Sequence, residues 1–491
     1  MMKPSLSQGN TPLLSAGSNC WRVAHADRAA LIVDAADYFR AVKDAFLKAR
    51  HSIYLIGWDF DTRISFEPEG AELEGPNQLG PCLRWLVKHR PDLNVYILKW
   101  DLGTLFALGR GTTPFALLGW TTNRRLHFKL DRMHPPGAAH HQKIVVVDDV
   151  LAFCGGIDMT ADRWDTREHL DEDPRRVRPS GRSYGPWHDA TAAVDDGAAR
   201  ALGDLARERW RRATGEELEP PPPSQAAIWP ARIEPTFRNV TLGIARTMPG
   251  DDDTDDVREV ERLTLDAVRA ARHTIYCESQ YFASRAVAEA IASRLVEKDG
   301  PEIVIINPLS ADGFLEAEVM DSSRAQMFDI VRQADMYERF RIFTPVAEGG
   351  RPIYVHAKIL VVDDVLFRIG SSNLNNRSMG FDTECDLVIE AAPEDADLRR
   401  RIADVADDLL AEHLGCEPQV VRKARLDRNG SLIAAIDALR GSGRTLQPFE
   451  PAPINAAEEK LAESDALDPE RPPRLLRSLL SSLRSHASNF R

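Results

Sequence analysis

The stretch HQKIVVVDDVLAFCGG at residues 141–156 returns as HAKILVVDDVLFRIGS at residues 356–371. Both copies contain the pattern His-x-Lys-x-x-x-x-Asp, and both end in small residues at the same offset. A single copy of so short a pattern would be weak evidence, but two copies with the same continuation are not expected by chance. The motif residues are His141, Lys143 and Asp148 in the first copy, and His356, Lys358 and Asp363 in the second.

The centre of each copy predicts a buried strand. Residues 144–147 and 359–362 are apolar and mostly β-branched, which is typical of strands. Side chains two residues apart point the same way in a strand, so the histidine and the lysine of each copy are expected on one face. Paired aspartates then predict a turn, and the residues after them predict a return strand. The sequence therefore predicts the same β-hairpin twice.

Two histidines and two lysines suit attack on a phosphate diester. One imidazole can act as the nucleophile while the other acts as the general acid. The ammonium groups can hold the phosphate oxygens, which gain negative charge in the transition state. The residues themselves do not indicate which histidine takes which role.

The repeat extends beyond the hairpins. ARHSIY at 49–54 returns as ARHTIY at 271–276, and each follows an amphipathic helical pattern, at 37–49 and 255–270. Strand-like segments follow at 94–101 and 302–308. Strands that alternate with helices predict an α/β layered domain, present twice. A pseudo-two-fold interface could then bring the two motifs together.

The predicted domain boundaries follow composition. We expect an N-terminal domain at 1–218, a proline-rich linker at 219–235, a C-terminal domain at 236–444 and an extended tail at 445–491. The end of the tail is rich in Leu and Arg, which predicts a basic amphipathic helix. That helix could dock on anionic lipid, or it could pack against the body of the protein.

Composition narrows the function classes. The net charge of −13 argues against a nucleic-acid groove as the main role, so no nucleic-acid partner is expected. Six scattered cysteines without paired spacing fit free thiols in a reducing compartment.

The sequence contains no signal-peptide pattern and no apolar run of the roughly 18 residues that a membrane span needs. A cytoplasmic location, or one at the inner membrane face, is expected, with export left open. The oligomeric state is not indicated.

Beyond the motifs, the chain resembles the phospholipase D superfamily from about residue 20 to residue 415. The second copy continues as Gly-Ser-x-Asn, in the manner of that family's HxKxxxxDxxxxxxGSxN block. The first copy resembles the phospholipase form of the motif rather than that of the small nucleases. The further matches are GGIDMTADRWD (155–165), GWD (57–59), PWHD (186–189), RERW (207–210) and ESQYF (278–282).

This resemblance implies a fold and a reaction. The fold is α/β, with two duplicated α/β/α sandwich domains packed around one shared active site. The reaction is hydrolysis of a phosphatidylcholine-like phospholipid, as in bacterial phospholipases D, to phosphatidic acid and the headgroup alcohol. It passes through a covalent phosphohistidine, with His141 as the nucleophile and His356 as the general acid.

Each imidazole needs an acceptor that orients its second nitrogen. From the resemblance, Glu384 sits at the place where the second copy supplies that carboxylate. The carboxylate of the first copy is less clear, with Asp165 the first candidate and Glu168 the second. The candidate substrate-binding residues are Ser371, Asn373, Gly156, Asp158 and Tyr281. Tyr281 and Phe282 could line the entrance for substrate or pack in the core.

Asp148 and Asp363 complete the motifs and are counted among the candidate catalytic residues. Their place about 16 Å along the strand from the histidine favours a structural role. His140 is expected to point away from the site. In PWHD, a core tryptophan beside a self-contained His188–Asp189 pair is expected rather than a catalytic dyad.

No local metal-binding motif occurs in the sequence, so we expect neither a metal nor another cofactor. Three alternatives to a lipid hydrolase remain. Phosphatidyl transfer to an alcohol, as in cardiolipin synthases, shares the chemistry and differs in the acceptor. A nuclease is weakened by the acidic charge. A catalytically silent lipid-binding module is opposed by the intact histidines and lysines of both copies.

Overall fold

The computed structural model describes residues 12–101, 123–223, 227–250, 255–311, 314–451 and 468. The strands of the first half are β1 (Arg22–Val33), β2 (Ser52–Gly57), β3 (Asn94–Trp100), β4 (Leu126–Asp131), β5 (Ile144–Val147), β6 (Leu151–Gly155), β7 (Trp187–His188) and β8 (Ala190–Asp195). Those of the second half are β9 (Phe237–Met248), β10 (Val257–Arg258), β11 (Thr274–Glu278), β12 (Glu302–Ile306), β13 (Phe340–Val346), β14 (Tyr354–Val355), β15 (Ile359–Val362), β16 (Leu366–Gly370), β17 (Glu384–Glu390) and β18 (Thr445–Pro448).

The helices are distributed over both halves. In the first half they are α1 (Ala35–Lys48), α2 (Leu79–His89) and α3 (Asp196–Thr214). In the second half they are α4 (Glu259–Ala270), α5 (Arg285–Leu295), α6 (Phe314–Ala334), α7 (Asn376–Gly380), α8 (Ala396–Leu414), α9 (Pro418–Leu426) and α10 (Leu432–Leu439).

A single sheet runs through both halves. One arm has the order β1-β8-β6-β5-β2-β3-β4, and the other has the order β9-β17-β16-β15-β11-β12-β13-β18. The arms join where β1 pairs antiparallel with β9. Each strand of the first arm therefore has a counterpart at the same place in the second. The predicted fold class, a duplicated α/β sandwich, is confirmed.

The helices cover both faces of this sheet. Along β5, Ile144 and Val146 contact the cluster that contains α3 and α8, whereas Val145 and Val147 contact the cluster under α1 and α2. In the second half, the equivalent outer cluster lies under α4, α5 and α6. Because both faces are covered, the central strands read as continuous apolar runs.

The positions of most of these strands and helices were predicted from the sequence. Strands β5 and β15 coincide with the predicted runs at 144–147 and 359–362. The second amphipathic pattern begins differently from expectation, since Val257 pairs with Met248 in a short strand and the helix starts at Glu259. The long charged loop at 168–186 is packed onto the body, and its His169 and Arg176 are fully buried.

The linker and the tail are described in part. Residues 219–223 and 227–235 contain no helix or strand, and the division of the chain there stays a prediction. Thr445–Pro448 extends the sheet beyond β13, so the predicted tail begins inside the fold. The predicted basic helix lies outside the described residues. None of the described helices is long and apolar enough to cross a membrane. All six cysteines lie in the described ranges and carry free thiols.

Candidate active site

The histidine and lysine of each motif lie just before the predicted strands rather than inside them. His141 and Lys143 precede β5, while His356 and Lys358 precede β15. The His141 backbone N–H donates to the carbonyl of Thr383 at 3.0 Å, and the His356 N–H donates to the carbonyl of His188 at 2.7 Å. Each motif is thus held by the main chain of the opposite half.

The carboxylates that orient the imidazoles are also exchanged between the halves. Nδ1 of His141 lies 3.0 Å from both oxygens of Glu384, which belongs to the second half. Nδ1 of His356 lies 2.7 Å from Oδ2 of Asp189, which belongs to the first. A carboxylate on Nδ1 makes that nitrogen the donor and leaves Nε2 for chemistry.

Asp165 and Glu168 were expected to orient a motif imidazole, and this geometry shows that neither does. The Oδ2 atom of Asp165 accepts from Arg176, His169 and the backbone of Trp187, away from both motifs. Glu168 is exposed. Asp189 orients His356 instead, and the PWHD segment that contains it could have indicated this.

PWHD was misinterpreted because consecutive residues of an extended chain point to opposite sides. His188 does not pair with Asp189: its Nε2 lies 2.8 Å from Glu278. Asp189 points the other way, to His356. His140 is buried, and its Nε2 lies 3.0 Å from Asp131, a residue outside the two motifs.

Glu384 is supported by two hydroxyl groups. Ser371 donates to one of its oxygens, and Ser378 donates to the other at 2.6 Å. The hydroxyl of Ser371 is therefore committed to the carboxylate, which corrects the expectation that it binds the phosphate. Burial raises the pKa of Glu384 to about 7, although the serines and Lys143 favour its ionised form.

In the first copy, Gly156 and Asp158 lie beside other side chains of the site. A Cβ atom on Gly156 would lie 2.1 Å from Oδ1 of Asp189, so only glycine leaves room for that carboxylate. Asp158 lies 3.2 Å from the Lys143 ammonium and accepts from the backbone of Trp58 at 3.1 Å. Gly156 therefore makes room for Asp189 and Asp158 pairs with Lys143, while their predicted role in binding substrate stays a prediction.

Each lysine folds back onto its own histidine. Nζ of Lys143 donates to the carbonyl of His141 at 2.9 Å, and Nζ of Lys358 donates to that of His356. Lys358 also lies 3.4 Å from the amide oxygen of Gln280. Burial and the charge of Lys143 together lower the pKa of Lys358 to about 7, although Asp189 opposes the shift.

Gln280 connects several candidate residues and was missed in the sequence. Its oxygen also lies 3.4 Å from the amide nitrogen of Asn373, and its nitrogen donates to the hydroxyl of Tyr281 at 2.8 Å. Asn373 and Tyr281 are thus connected to Lys358 through Gln280, and their binding of substrate stays a prediction. Phe282 is fully buried and packs in the core.

The two imidazoles and the two lysines share one electrostatic site. Burial lowers the pKa of His141 well below its usual range, and the charges of Lys143 and Lys358 lower it further. The pKa of His356 is lowered by burial and then by Lys358, Arg163 and Lys143. Since each imidazole is affected by both lysines, the duplicated motifs converge on a single site that favours neutral histidines.

Arg163 is a further cation at this site. Its guanidinium lies 4.4 Å from the ring centroid of Trp187, and the Trp187 ring lies 5.3 Å from that of His356. The arginine is part of the RWD segment, in which only the aspartate was predicted to have a role.

The motif aspartates lie at the far ends of the strands and are not part of the active site. The carboxylate of Asp148 accepts from the backbone N–H groups of Arg50, His51 and Ser52 at 2.7–2.8 Å. In the second half, Asp363 accepts from the equivalent groups of residues 272–274 at 2.7–3.0 Å. Their inclusion among the catalytic candidates is wrong, and the repeated ARHSIY and ARHTIY segments are their partners.

Comparison with known proteins adds to this geometry. A family model described as "Cardiolipin synthase, PLD-like domain" matches residues 264–405. Phospholipase D alpha 1 of Vigna unguiculata is 24% identical over 68% of this chain, and phospholipase D alpha 4 of Arabidopsis thaliana is 21% identical over 77%. The chain spans 58% and 63% of the lengths of these two relatives.

Among solved structures, the phosphatidylserine synthase of Haemophilus influenzae has the same fold. The match covers 95% of this chain and 96% of that one, with a TM-score of 0.53 and 12% identity. The duplicated fold, the paired motifs and these relatives agree with one another. In its paired motifs and in these relatives, the chain is similar to the phospholipase D superfamily.

Proposed function

We propose that this protein hydrolyses the headgroup phosphodiester of a phosphatidylcholine-like phospholipid and releases phosphatidic acid. One observation carries the proposal: two imidazoles, each with Nδ1 on a buried carboxylate from the opposite half, share one site with two lysines. This arrangement supplies a nucleophile, a proton donor and a positively charged phosphate site without further groups.

In the first step, neutral His141 attacks phosphorus through Nε2. Its Nδ1–H remains on Glu384, which stabilises the positive charge that develops on the ring. The phosphorus–oxygen bond to the headgroup breaks, and Nε2–H of His356 protonates the departing alcohol. Lys143 and Lys358 hold the other phosphoryl oxygens. Because the free site disfavours charged imidazoles, we infer that the anionic phosphate raises the pKa of His356 on binding.

In the second step, neutral His356 takes a proton from water, and the resulting hydroxide attacks phosphorus. The phosphorus–nitrogen bond breaks, His141 recovers its lone pair, and phosphatidic acid leaves. Asp189 stabilises His356 in both protonation states.

The lipid substrate is supported by the relatives named phospholipase D, at 21–24% identity. A second candidate is phosphatidyl transfer, in which an alcohol replaces water in the second step. The family description that names cardiolipin synthase and the fold of a phosphatidylserine synthase favour this alternative. We propose that either reaction takes place at a membrane surface, on the cytoplasmic side, with no nucleic-acid substrate.

The test uses mixed phosphatidylcholine vesicles, with and without ethanol, and a short-chain soluble phosphatidylcholine. Choline release with phosphatidic acid as product supports hydrolysis. Phosphatidylethanol, formed at the expense of phosphatidic acid, indicates the phosphatidyl-enzyme common to both reactions. A His141→Asn variant is the inactive control, and a labelled oligonucleotide tests the nuclease alternative. Turnover of the oligonucleotide without turnover of any phospholipid would contradict the proposal.

A further inference from the structure

A second cluster of titratable side chains lies behind the strand that precedes Asp189, outside the active site. Asp34 stands at the start of α1, His169 in the packed loop, His188 in β7 and Glu412 in α8. Their side chains are at most 2% exposed. One donor atom from each lies within 4.8 Å of all the others.

We propose that these four side chains form a four-coordinate site for a divalent transition metal of the zinc class, which ties the two halves of the chain together. The ligands are Nε2 of His169, Nδ1 of His188, Oε1 of Glu412 and an oxygen of Asp34. Two imidazoles with two carboxylates are a donor set that suits zinc and its neighbours better than calcium or magnesium.

The separations between donor atoms fit such an ion. Ligands at about 2.0–2.2 Å from zinc stand about 3.3 Å apart in a tetrahedron. Oε1 of Glu412 lies 3.0 Å from Nε2 of His169 and 2.9 Å from Nδ1 of His188. Oδ2 of Asp34 lies 3.4 Å from Nε2 of His169, and Oδ1 of the same carboxylate lies 3.6 Å from Nδ1 of His188. The last two distances are long for hydrogen bonds but ordinary for two ligands of one ion.

The outer nitrogens of both histidines carry the partners that metal ligands have. Nε2 of His188 lies 2.8 Å from Glu278, and Nδ1 of His169 lies 3.1 Å from Asp165. A carboxylate on the far nitrogen fixes the tautomer of a metal-bound imidazole and strengthens it as a ligand. Having this arrangement at both histidines is an independent sign of a metal site.

Asp34 supplies a third observation. Its Oδ2 atom is buried and accepts no hydrogen bond. Asp34 occupies the N-cap position of α1, where an aspartate usually accepts from the first turn, but its side chain makes no such bond. An ionised oxygen buried without a donor is costly, and a cation within reach removes that cost.

The rival explanation is a metal-free network in which both imidazoles are doubly protonated. It has the same total charge, since two extra protons carry the charge of one divalent ion. It does not supply a donor for Oδ2 of Asp34. The two explanations differ in composition, which makes them separable by experiment.

The site was invisible in the sequence because its ligands come from four separate segments. It adjoins the active site without taking part in the chemistry. The backbone N–H of Asp189 donates to Oδ1 of Asp34 at 3.1 Å, and Asp189 follows His188 directly. An ion here would therefore fix the segment that carries the carboxylate of His356.

Metal content tests the proposal. The full chain is expressed in minimal medium with zinc or cobalt, because ligands this buried are loaded during folding. After removal of loosely bound ions, we expect close to one equivalent of metal. The cobalt form should show the intense visible bands of tetrahedral coordination, and X-ray absorption should show nitrogen and oxygen ligands without sulfur.

Three variants locate the ion. His169→Gln and Glu412→Gln should each reduce the metal content to near zero. The matched control is His25→Gln, which alters a similar but exposed group with Asp27 and Asp196 and should leave the metal content unchanged. A folded wild-type chain without transition metal would overturn the proposal even if both site variants failed to fold. Metal retained in both variants, or sulfur in the first shell, would overturn it as well.

Discussion

The two copies of the motif share a backbone and differ in what surrounds the histidine. The His141 side chain is 17% exposed and faces both oxygens of Glu384, which two serine hydroxyls support. The His356 side chain is 6% exposed and faces one oxygen of Asp189, which fits only because residue 156 is glycine. Far from the site, by contrast, Asp148 and Asp363 make the same three contacts in both halves.

This contrast shows where duplication has been kept and where it has been altered. Contacts that shape the hairpin are equal in the two halves, because both hairpins must fold. Contacts on the imidazoles are unequal, which agrees with the proposed reaction, in which one imidazole is the nucleophile and the other the proton donor. Substitutions at the unequal positions should therefore affect activity, and substitutions at the equal positions should affect stability.

Replacing a histidine should have the largest effect. His141→Ala and His356→Ala should each lower kcat on the order of 10³-fold or more. The two should differ on a soluble diester with an activated leaving group. There, His356→Ala should release one rapid equivalent of leaving group and accumulate a phosphorylated chain, whereas His141→Ala should do neither. Rapid-quench kinetics and intact-protein mass spectrometry measure both. A burst from the His141 variant alone would reverse the assigned roles.

Replacing the carboxylates that are exchanged between the halves should have the next largest effect on kcat. Asp189→Asn should lower kcat about 10²- to 10⁴-fold, because an amide can favour the wrong tautomer of His356. Glu384→Gln should act similarly on His141. Steady-state kinetics and a circular dichroism spectrum for each variant provide the check. A nearly normal kcat for Asp189→Asn would contradict the exchange of carboxylates between halves.

Gly156→Ala should have a smaller effect, lowering kcat about 10- to 100-fold, as misplacement of a reacting group does. The added methyl group would collide with Oδ1 of Asp189 and displace that carboxylate. The comparison variant is Ser371→Gly, which removes a hydrogen bond to Glu384 without a collision and should lower kcat less. Equal losses in the two variants would show that the collision is relieved at little cost.

The pH dependence should follow Lys358. Its pKa is lowered by burial to about 7, so the free enzyme holds this charge below that pH and loses it as pH rises. On a soluble anionic diester, kcat/KM should fall up to about tenfold per pH unit above neutrality. Lys358→Arg should remove this alkaline decline, even with a lower plateau, because arginine stays charged. An unchanged alkaline limb in the variant would assign the decline to another group.

The motif aspartates should affect stability far more than activity. Asp148→Ala and Asp363→Ala should each lower the free energy of unfolding by about 2–3 kcal/mol, since three backbone donors lose a charged acceptor. Their kcat values should remain within a few-fold of wild type. Urea unfolding of both variants measures the first effect. A large loss of kcat in either would restore the catalytic assignment of these residues.

The sequence predicted what depends on neighbouring residues. Strands β5 and β15 were predicted to the residue because β-branched runs bounded by aspartate turns leave few alternatives. The convergence of both motifs on one site followed from their duplication. Even the structural role of Asp148 was favoured by its distance along the strand.

The pairing of side chains across the halves could not be predicted in this way. Asp189 was overlooked because sequence proximity suggested a pair with His188, whereas the extended chain separates the two. Ser371 was expected at the phosphate because nothing local shows that its hydroxyl supports Glu384. The contacts of Gln280 depend on how β11 meets β15, which only the folded sheet defines.

The exchange of carboxylates also bears on how the chain could have evolved and how it could be divided. Neither half contains both a motif histidine and the carboxylate on its Nδ1, so a single repeat would acquire that pair only from a second copy of itself. An ancestor with one repeat would have been an obligate dimer at its active site. In the fused chain, a change at Glu384 is felt by His141 and a change at Asp189 by His356, so the halves can no longer diverge independently. Separately produced halves should be inert, and activity should return only when they reassociate.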